Sequence, residues 1–140
     1  MDAATGKELW TYSVSDAVFG RPTIAGERVV FGSRDGTLRG LSFDGKERFR
    51  LELGGPVMAP AVADAAVVHA VSVPGRMICV DAADGRELWR YELRERGSEP
   101  SMFAGPSLAG KKLLVAGEMM AGQIGVVCLH CFESPEIARP

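Results

Sequence analysis

Apolar and polar residues alternate strictly along three short segments of the chain. In one of them Phe49, Leu51 and Leu53 share one side, and charged residues fill the positions between them. The same alternation begins at Trp10 and again at Trp89. A period of two predicts β-strands that bury one face and expose the other.

Three other segments are continuously apolar, at 29–31, 66–68 and 113–115. Short apolar runs of this kind predict strands covered on both faces, as in sheets that stack face to face. Asp-Gly pairs, such as Asp44-Gly45 and Asp84-Gly85, separate the segments. Asp-Gly between two strand patterns is a strong hairpin signal, so we predict antiparallel strands joined by tight turns.

Two sets of markers repeat along the chain at intervals of about 40 residues. Glycines at 6, 45 and 85 are separated by 39 and 40 residues, and each is followed four residues later by Trp or Phe. Prolines at 22, 60 and 106 are separated by 38 and 46 residues. Because an internal repeat of this length is typical of solenoids and propellers, the order of both markers indicates a recurring structural unit.

The fold class that we predict is all-β, a partial β-propeller of about three four-stranded antiparallel blades. Repeats occupy 1–132 and comprise a single outermost strand at 8–14, blades at 20–53 and 59–93, and a partial blade of three strands at 105–131. This makes twelve strands. The last residues, 133–140, are predicted to be a polar tail.

Two segments resemble the docking motif of pyrroloquinoline-quinone-like (PQQ-like, quinoprotein-type) propeller repeats. The motif has a small residue, Asp two positions later, Gly four after that and Trp four further on. Matching residues are Asp2, Gly6 and Trp10 in the first copy, and Cys79, Asp81, Gly85 and Trp89 in another. The resemblance implies that each aromatic packs between neighbouring blades, over the small residue of its own motif and against the next blade's glycine.

The other two copies depart from the motif. In one, Gly40 and Ser42 replace the small residue and Asp, one residue is deleted before Gly45, and Phe49 replaces Trp. The last copy places Cys128 and His130 at the small and Asp positions and lacks the glycine and Trp. The docking residues that we predict are Asp2, Gly6, Trp10, Gly45, Phe49, Asp81, Gly85 and Trp89.

The resemblance implies one of two functions. Some members of the family are dehydrogenases that hold PQQ and Ca²⁺ in the central channel, and others bind no cofactor and act as protein-binding scaffolds, such as the lipoprotein of the outer-membrane β-barrel assembly machinery. The chain has no Asn, which weakens the case for a Ca²⁺ site of acidic and amide ligands. We therefore predict a non-catalytic binding module without a cofactor, and the alternative is part of a PQQ/Ca-dependent quinoprotein dehydrogenase.

Charge and composition exclude some partners. The net charge is −2, so no basic excess supports nucleic-acid binding. No apolar stretch approaches the ~20 residues of a membrane helix, and the first residues lack the basic and apolar regions of a signal peptide. Related proteins are mostly exported, so the compartment stays open.

Catalytic and metal-binding patterns are weak. Cys128 and Cys131 form a C-x-x-C, but residues three apart in a strand point to opposite faces, and an odd total of three cysteines argues against a disulfide framework. His69 and His130 lie inside predicted strands, where a histidine is usually packed and hydrogen-bonded. We predict no catalytic residue and no metal ligand.

In propellers, the connections between blades and the turns between second and third strands share one rim. From aromatic to proline these connections measure 12, 11 and 17 residues, so the third is enlarged. Long loops on a rigid scaffold suit binding, and neutral insertion is the alternative. The candidate rim residues are Arg21, Arg34, Arg96, Met102, Phe103 and Met119.

Three blades cannot close a ring, and an open apolar face is an association hazard. We expect a fragment of a larger propeller, whose partners are the remaining blades or another protein. The alternative is a homodimer in which two half-rings complete each other.

Overall fold

The computed structural model describes residues 2–73, 75–93, 104–121 and 124–133, and for 118–121 and 124–127 it describes the backbone alone. Within these residues there are eleven β-strands and no helix. The strands form three antiparallel sheets in which sequence neighbours pair. The all-β, partial-propeller prediction is therefore confirmed at the level of fold class.

The first two sheets are four-stranded meanders. The first contains β1 (Thr23–Ala25), β2 (Arg28–Gly32), β3 (Thr37–Ser42) and β4 (Glu47–Glu52). The second contains β5 (Val62–Asp64), β6 (Val67–Ser72), β7 (Arg76–Asp81) and β8 (Glu87–Glu92). Both sheets have a register shift between the third and fourth strands, after Gly40 in the first and after Cys79 in the second. The two repeats therefore share even this bulge.

The third sheet has three strands among the described residues. They are β9 (Ser107–Ala109), β10 (Lys112–Ala121) and β11 (Ile124–Glu133), in the order β11-β10-β9. Gly110, with φ of +59°, makes the turn between β9 and β10, in the left-handed region that a residue with a Cβ rarely adopts.

Two apolar clusters join the three sheets face to face. The first lies between the first and second sheets and includes Val30, Leu38 and Phe49 on one side and Val68 and Ile78 on the other. We call it the first seam. The second seam joins the second and third sheets through a smaller cluster. Its buried members are Ala59, Val71, Met77, Leu93, Leu113 and Val115.

The strand predicted at 8–14 is not formed. These residues have no ladder partner in the described chain, and a strand exists only where backbone groups pair with a neighbour. The segment instead lies against the first sheet through its side chains: Tyr12 packs edge-on against Phe31 with ring centroids 6.2 Å apart, and its hydroxyl donates to Glu47.

The last hairpin also differs from the prediction. Met119 was assigned to the rim loops, but β10 and β11 remain paired as far as Ala121 and Ile124. Met119 therefore lies in a strand, opposite Val126. Glu133, assigned to the polar tail, is the last residue of β11, and 134–140 lie outside the described residues.

The longer hairpin shifts the last copy of the docking motif. Ser42, Asp81 and Glu133 occupy the same register position, opposite Arg28, Val67 and Lys112. The small-residue position is accordingly Cys131, not Cys128, and the Asp position is Glu133, not His130. The prediction from sequence spacing placed the motif three residues too early. The extra length of the hairpin cannot be recognised from the sequence of this copy alone.

Candidate functional site

Phe49 occupies the first seam with almost no free space on either side. A Cβ built on Gly40, in the adjacent strand, would lie 2.1 Å from the Phe49 ring, and one on Gly85, in the second sheet, would lie 2.5 Å from it. Both distances are shorter than any van der Waals contact. The aromatic thus lies between the small residue of its own motif and the glycine of the next.

Trp10 makes the equivalent contact with the first sheet. A Cβ on Gly45 would lie 2.7 Å from the indole of Trp10, and the indole N–H donates to the carbonyl of Phe43 at 2.8 Å. Asp2 organises the turn that precedes this segment, because its carboxylate accepts the backbone N–H groups of Ala4 and Thr5. The Thr5 hydrogen bonds lower the pKa of Asp2.

Trp89 lies in the second seam beside different neighbours. His69, Cys79 and Trp89 are directly opposite one another on three adjacent strands, and the rings of His69 and Trp89 are 5.6 Å apart. His69 Nδ1 and Trp89 Nε1 are both buried and have no hydrogen-bond partner among the described residues. Burial lowers the pKa of His69 and raises the pKa of Cys79 to about 12, so this thiol is unreactive.

Asp81 and Gly85 hold the turn after β7. Asp81 accepts the backbone N–H of Ala83 at 2.8 Å and lies 3.6 Å from the guanidinium of Arg86. The N–H of Gly85 donates to the carbonyl of Asp81 at 2.9 Å. Gly6 donates in the same way to Asp2 at 2.8 Å, so these two copies of the motif share one turn.

The connection at 15–21 meets the turn between β2 and β3 on one rim. The backbone N–H of Arg34 donates to the carbonyl of Ala17 at 2.9 Å, and the Arg34 guanidinium pairs with Asp16 at 3.0 Å. The Ala17 backbone hydrogen bond, followed by the Arg34 hydrogen bond, lowers the pKa of Asp16. Ser15 donates to Asp35 at 3.0 Å.

This rim exposes two apolar side chains that were not singled out from the sequence. Phe19 is 60% exposed and Val18 is 40% exposed. Next to them Gly20 is buried, and a Cβ there would lie 2.7 Å from the backbone of Pro60. Anchored at Ala17 and Gly20, the loop presents Val18 and Phe19 on a fixed backbone. The sequence signal that could have identified this exposed pair is the presence of two adjacent apolar residues within the 15–21 connection.

The predicted rim residues have different outcomes. Arg21 is exposed, and Arg34 is exposed and paired with Asp16. Arg96, Met102 and Phe103 lie outside the described residues, and only the backbone of Met119 is described.

A buried ion pair lies beneath the rim. Arg39 is 4% exposed, and its guanidinium makes two hydrogen bonds to Asp35, at 2.7 and 3.3 Å. The Arg39 hydrogen bond is the largest of the contacts that hold the pKa of Asp35 well below its usual range. The burial of Arg39 could not be predicted from the sequence, because alternation along a strand does not show which of its two faces is buried.

Metal and membrane features are limited in the described part of the chain. Cys128 is half-buried and Cys131 is exposed, both in β11. Across residues 2–73, 75–93, 104–121 and 124–133, no three His, Cys, Asp or Glu side chains are grouped in a way that could hold a metal ion. The same residues include no helix of the length and apolarity needed to cross a bilayer.

Stacked four-stranded meanders with an aromatic residue between adjacent sheets define a PQQ-like β-propeller repeat protein. A family model described as outer membrane protein assembly factor BamB matches residues 1–59 and 44–127. The chain belongs to this BamB family of PQQ-like repeats.

Two curated relatives carry the same name. The outer membrane protein assembly factor BamB of Burkholderia pseudomallei (strain K96243) is 24% identical over 117 residues, covering 84% of this chain and 31% of the relative. That of Nitrosomonas eutropha (strain DSM 101675 / C91 / Nm57) is 22% identical over 134 residues, covering 89% and 32%. The chain therefore spans about a third of the length of these relatives.

Solved structures agree on the fold. BamB from Moraxella catarrhalis superposes with a TM-score of 0.66 at 25% identity, covering 90% of this chain and 36% of that protein. A europium-containing methanol dehydrogenase superposes with a TM-score of 0.70 at 13% identity, covering 89% and 24%. The second likeness shows a shared propeller fold and nothing about chemistry.

Proposed function

We propose that this chain is a stretch of a larger β-propeller that serves as a non-catalytic, protein-binding scaffold in outer membrane protein assembly. The match of the family model over 1–59 and 44–127 carries the proposal. The relatives that share the family are named as assembly factors. Because the chain covers about a third of each, the role belongs to a longer protein that contains this stretch.

The rim at 15–21 supports a binding role. Exposed aromatic and arginine side chains on a preorganised loop are typical of the residues that dominate protein interfaces. Phe19 and Val18 are exposed beside Arg21, and the contacts of Ala17 and Gly20 fix the loop before a partner arrives. The geometry favours a partner with an apolar recess that receives Phe19.

Genetic complementation tests the proposal. Disruption of the gene for the longer protein should lower the amount of folded β-barrel protein in the outer membrane, measured by heat-modifiable mobility on gels. A gene carrying Val18→Ser and Phe19→Ser should fail to restore it. Glu27→Ser is the control, because Glu27 is exposed in the turn between β1 and β2.

The opposite result would be normal levels of folded barrel protein without the gene. Calorimetric titration of the protein with PQQ and Ca²⁺ tests the alternative function, part of a PQQ/Ca-dependent dehydrogenase. The scaffold proposal expects no saturable heat, whereas micromolar binding of both would favour the dehydrogenase.

A further inference from the structure

The last hairpin extends beyond the body of its sheet. β10 and β11 each have ten residues, whereas the corresponding strands of the second sheet, β6 and β7, have six. The six residue pairs between β6 and β7 correspond in register to six pairs between β10 and β11. These run from the pair Lys112–Glu133 to the pair Gly117–Cys128. Four further pairs remain, which we call the arm: residues 118–121 and 124–127. At ~3.4 Å per residue it extends ~14 Å.

The arm projects on the rim that carries the 15–21 loop. In the second sheet the turn after β6 meets the neighbouring connection, because the N–H of Val73 donates to the carbonyl of Pro56 at 2.9 Å. In the first sheet the turn after β2 meets the 15–21 loop through Arg34 and Ala17. The arm continues the corresponding turn of the third sheet, so it belongs to the same rim.

Both long edges of the arm are open within the described residues. β9 pairs with β10 only at residues 112–114, and β11 pairs only with β10. Each edge therefore presents backbone N–H and C=O groups with no ladder partner in that part of the chain. A two-stranded ribbon on its own is marginally stable in water, so an added strand would stabilise the arm.

The arm lacks the features that protect strand edges elsewhere in the molecule. The fourth strands of the first two sheets read ERFRLE and ELWRYE, with charges that oppose pairing with another chain. Of the eight arm residues only Glu118 is charged, and there is no Lys, Arg or Pro. The others are Met119, Met120, Ala121, Ile124, Gly125, Val126 and Val127.

The open edges favour a protein partner over a lipid bilayer. Unpaired backbone groups are costly in hydrocarbon, and the arm has no basic residue to attract anionic headgroups. A strand added from a partner protein satisfies the backbone groups of the edge. Charge gives no preference for an acidic or basic segment.

We propose that the arm binds an extended, aliphatic segment of a partner protein as an added β-strand. The inference rests on the proposed function, in which an outer-membrane barrel protein that has not yet folded supplies the segment, since its strands alternate apolar and polar residues. The arm and the Phe19 loop are then two separate contact points on one rim.

Binding of an unfolded porin, diluted from urea, tests the arm with the full chain. Val126→Lys places a charge on the edge, and replacement of 119–126 by Asn-Gly shortens the hairpin to a two-residue turn. We expect both variants to bind the porin at least tenfold more weakly. Ile24→Lys, a charge at an exposed apolar strand position of the first sheet, is expected to bind within twofold of the parent.

Hydrogen exchange supplies the second readout. Amides of the arm should exchange quickly in the free protein and slow down when porin is added. Unchanged binding by both arm variants, with circular dichroism confirming their fold, would overturn the inference, as would arm amides that are already protected without porin. If Val18→Ser and Phe19→Ser abolish binding while the arm variants do not, the scaffold role survives and the arm inference fails. Failure of the parent chain to bind porin overturns the arm inference and leaves the scaffold role to the complementation test.

Discussion

The two seams of the molecule hold their sheets together with different chemistry. The first seam is filled by Phe49, which has no polar atom and contacts glycines on both sides. In the second seam the aromatic is Trp89, which lies next to the buried His69; within the described part of the chain neither the Trp89 N–H nor His69 Nδ1 has a hydrogen-bond partner. The repeat thus preserves the position of the aromatic, while the polar groups around it are free to vary between seams.

The stability of the first seam depends on steric fit, and that of the second seam depends on the protonation state of His69. A purely apolar seam is insensitive to pH and intolerant of added volume. A buried imidazole favours its neutral form, because burial penalises the charge and no hydrogen-bond acceptor for His69 Nδ1 lies among the described residues. Substitutions in the seams and changes of pH separate these two dependences.

The largest effect is expected from filling the first seam. Gly85→Ala adds a Cβ that overlaps the Phe49 ring and also forces alanine into φ of +78°. Left-handed backbone costs about 1–2 kcal/mol and overpacking about 1–3 kcal/mol, so we expect a loss of about 2–5 kcal/mol in the free energy of unfolding, measured in urea.

Gly110→Ala is the matched control for backbone strain. Gly110 has φ of +59° and no atom within 4 Å of an added Cβ, so only the backbone cost of about 1–2 kcal/mol applies. Equal losses at Gly85 and Gly110 would show that Phe49 does not lie against Gly85.

A smaller effect is expected from pH in the second seam. Burial lowers the pKa of His69 from its ordinary 6.5, an effect that nearby Asp64 partly opposes. When the pH falls below 6.5 the unfolded chain takes up the proton first, so the stability contributed by neutral His69 is present above 6.5 and is lost towards the lower pKa of the folded state. We expect a loss of about 1 kcal/mol between pH 7.5 and 5.5.

His69→Leu should remove that component of the pH dependence. The measurement is the difference in unfolding free energy between the parent chain and the variant at each pH, since the carboxylates contribute equally to both. A difference that stays constant from pH 7.5 to 5.5 would mean that His69 is accessible to solvent or has an acceptor.

The smallest effect concerns the two indole N–H groups. Trp10→Phe removes the hydrogen bond to the Phe43 carbonyl, whereas Trp89→Phe removes a donor that has no acceptor among the described residues. Because the Trp10 hydrogen bond is exposed and a hydrogen bond contributes about 0.5–1.5 kcal/mol, Trp10→Phe should be the more destabilising by about 0.5 kcal/mol. Equal losses in thermal unfolding would contradict this distinction.

The sequence predicted the repeated elements well because they are encoded locally. Alternation around Phe49 and Trp89 predicted outer strands, and β4 and β8 follow those segments. Turn glycines such as Gly45 and Gly85 mark backbone conformations with φ of +83° and +78° that other residues avoid. The aromatic spacing then predicted which elements recur.

The remaining features depend on pairing between distant residues. Residues 8–14 have a strand pattern, but a ladder needs a neighbour that local sequence cannot provide. The three-residue shift from Cys128 to Cys131 arises from how far β10 and β11 stay paired. At the site, Arg21 and Arg34 were predicted from loop position, whereas the exposure of Phe19 and the burial of Arg39 depend on the surrounding sheets.

A double-mutant cycle between Phe49 and Gly85 tests most directly whether an aromatic residue in contact with the next sheet's glycine joins the sheets. Phe49→Ala alone should cost about 3–5 kcal/mol. In the Phe49→Ala background the added Cβ of Gly85→Ala meets empty space. The loss of unfolding free energy caused by Gly85→Ala should then fall to that of Gly110→Ala, about 1–2 kcal/mol. The difference from its loss in the parent chain is a coupling energy of about 1–3 kcal/mol. Strictly additive losses would mean that the two residues are not in contact and would contradict the account.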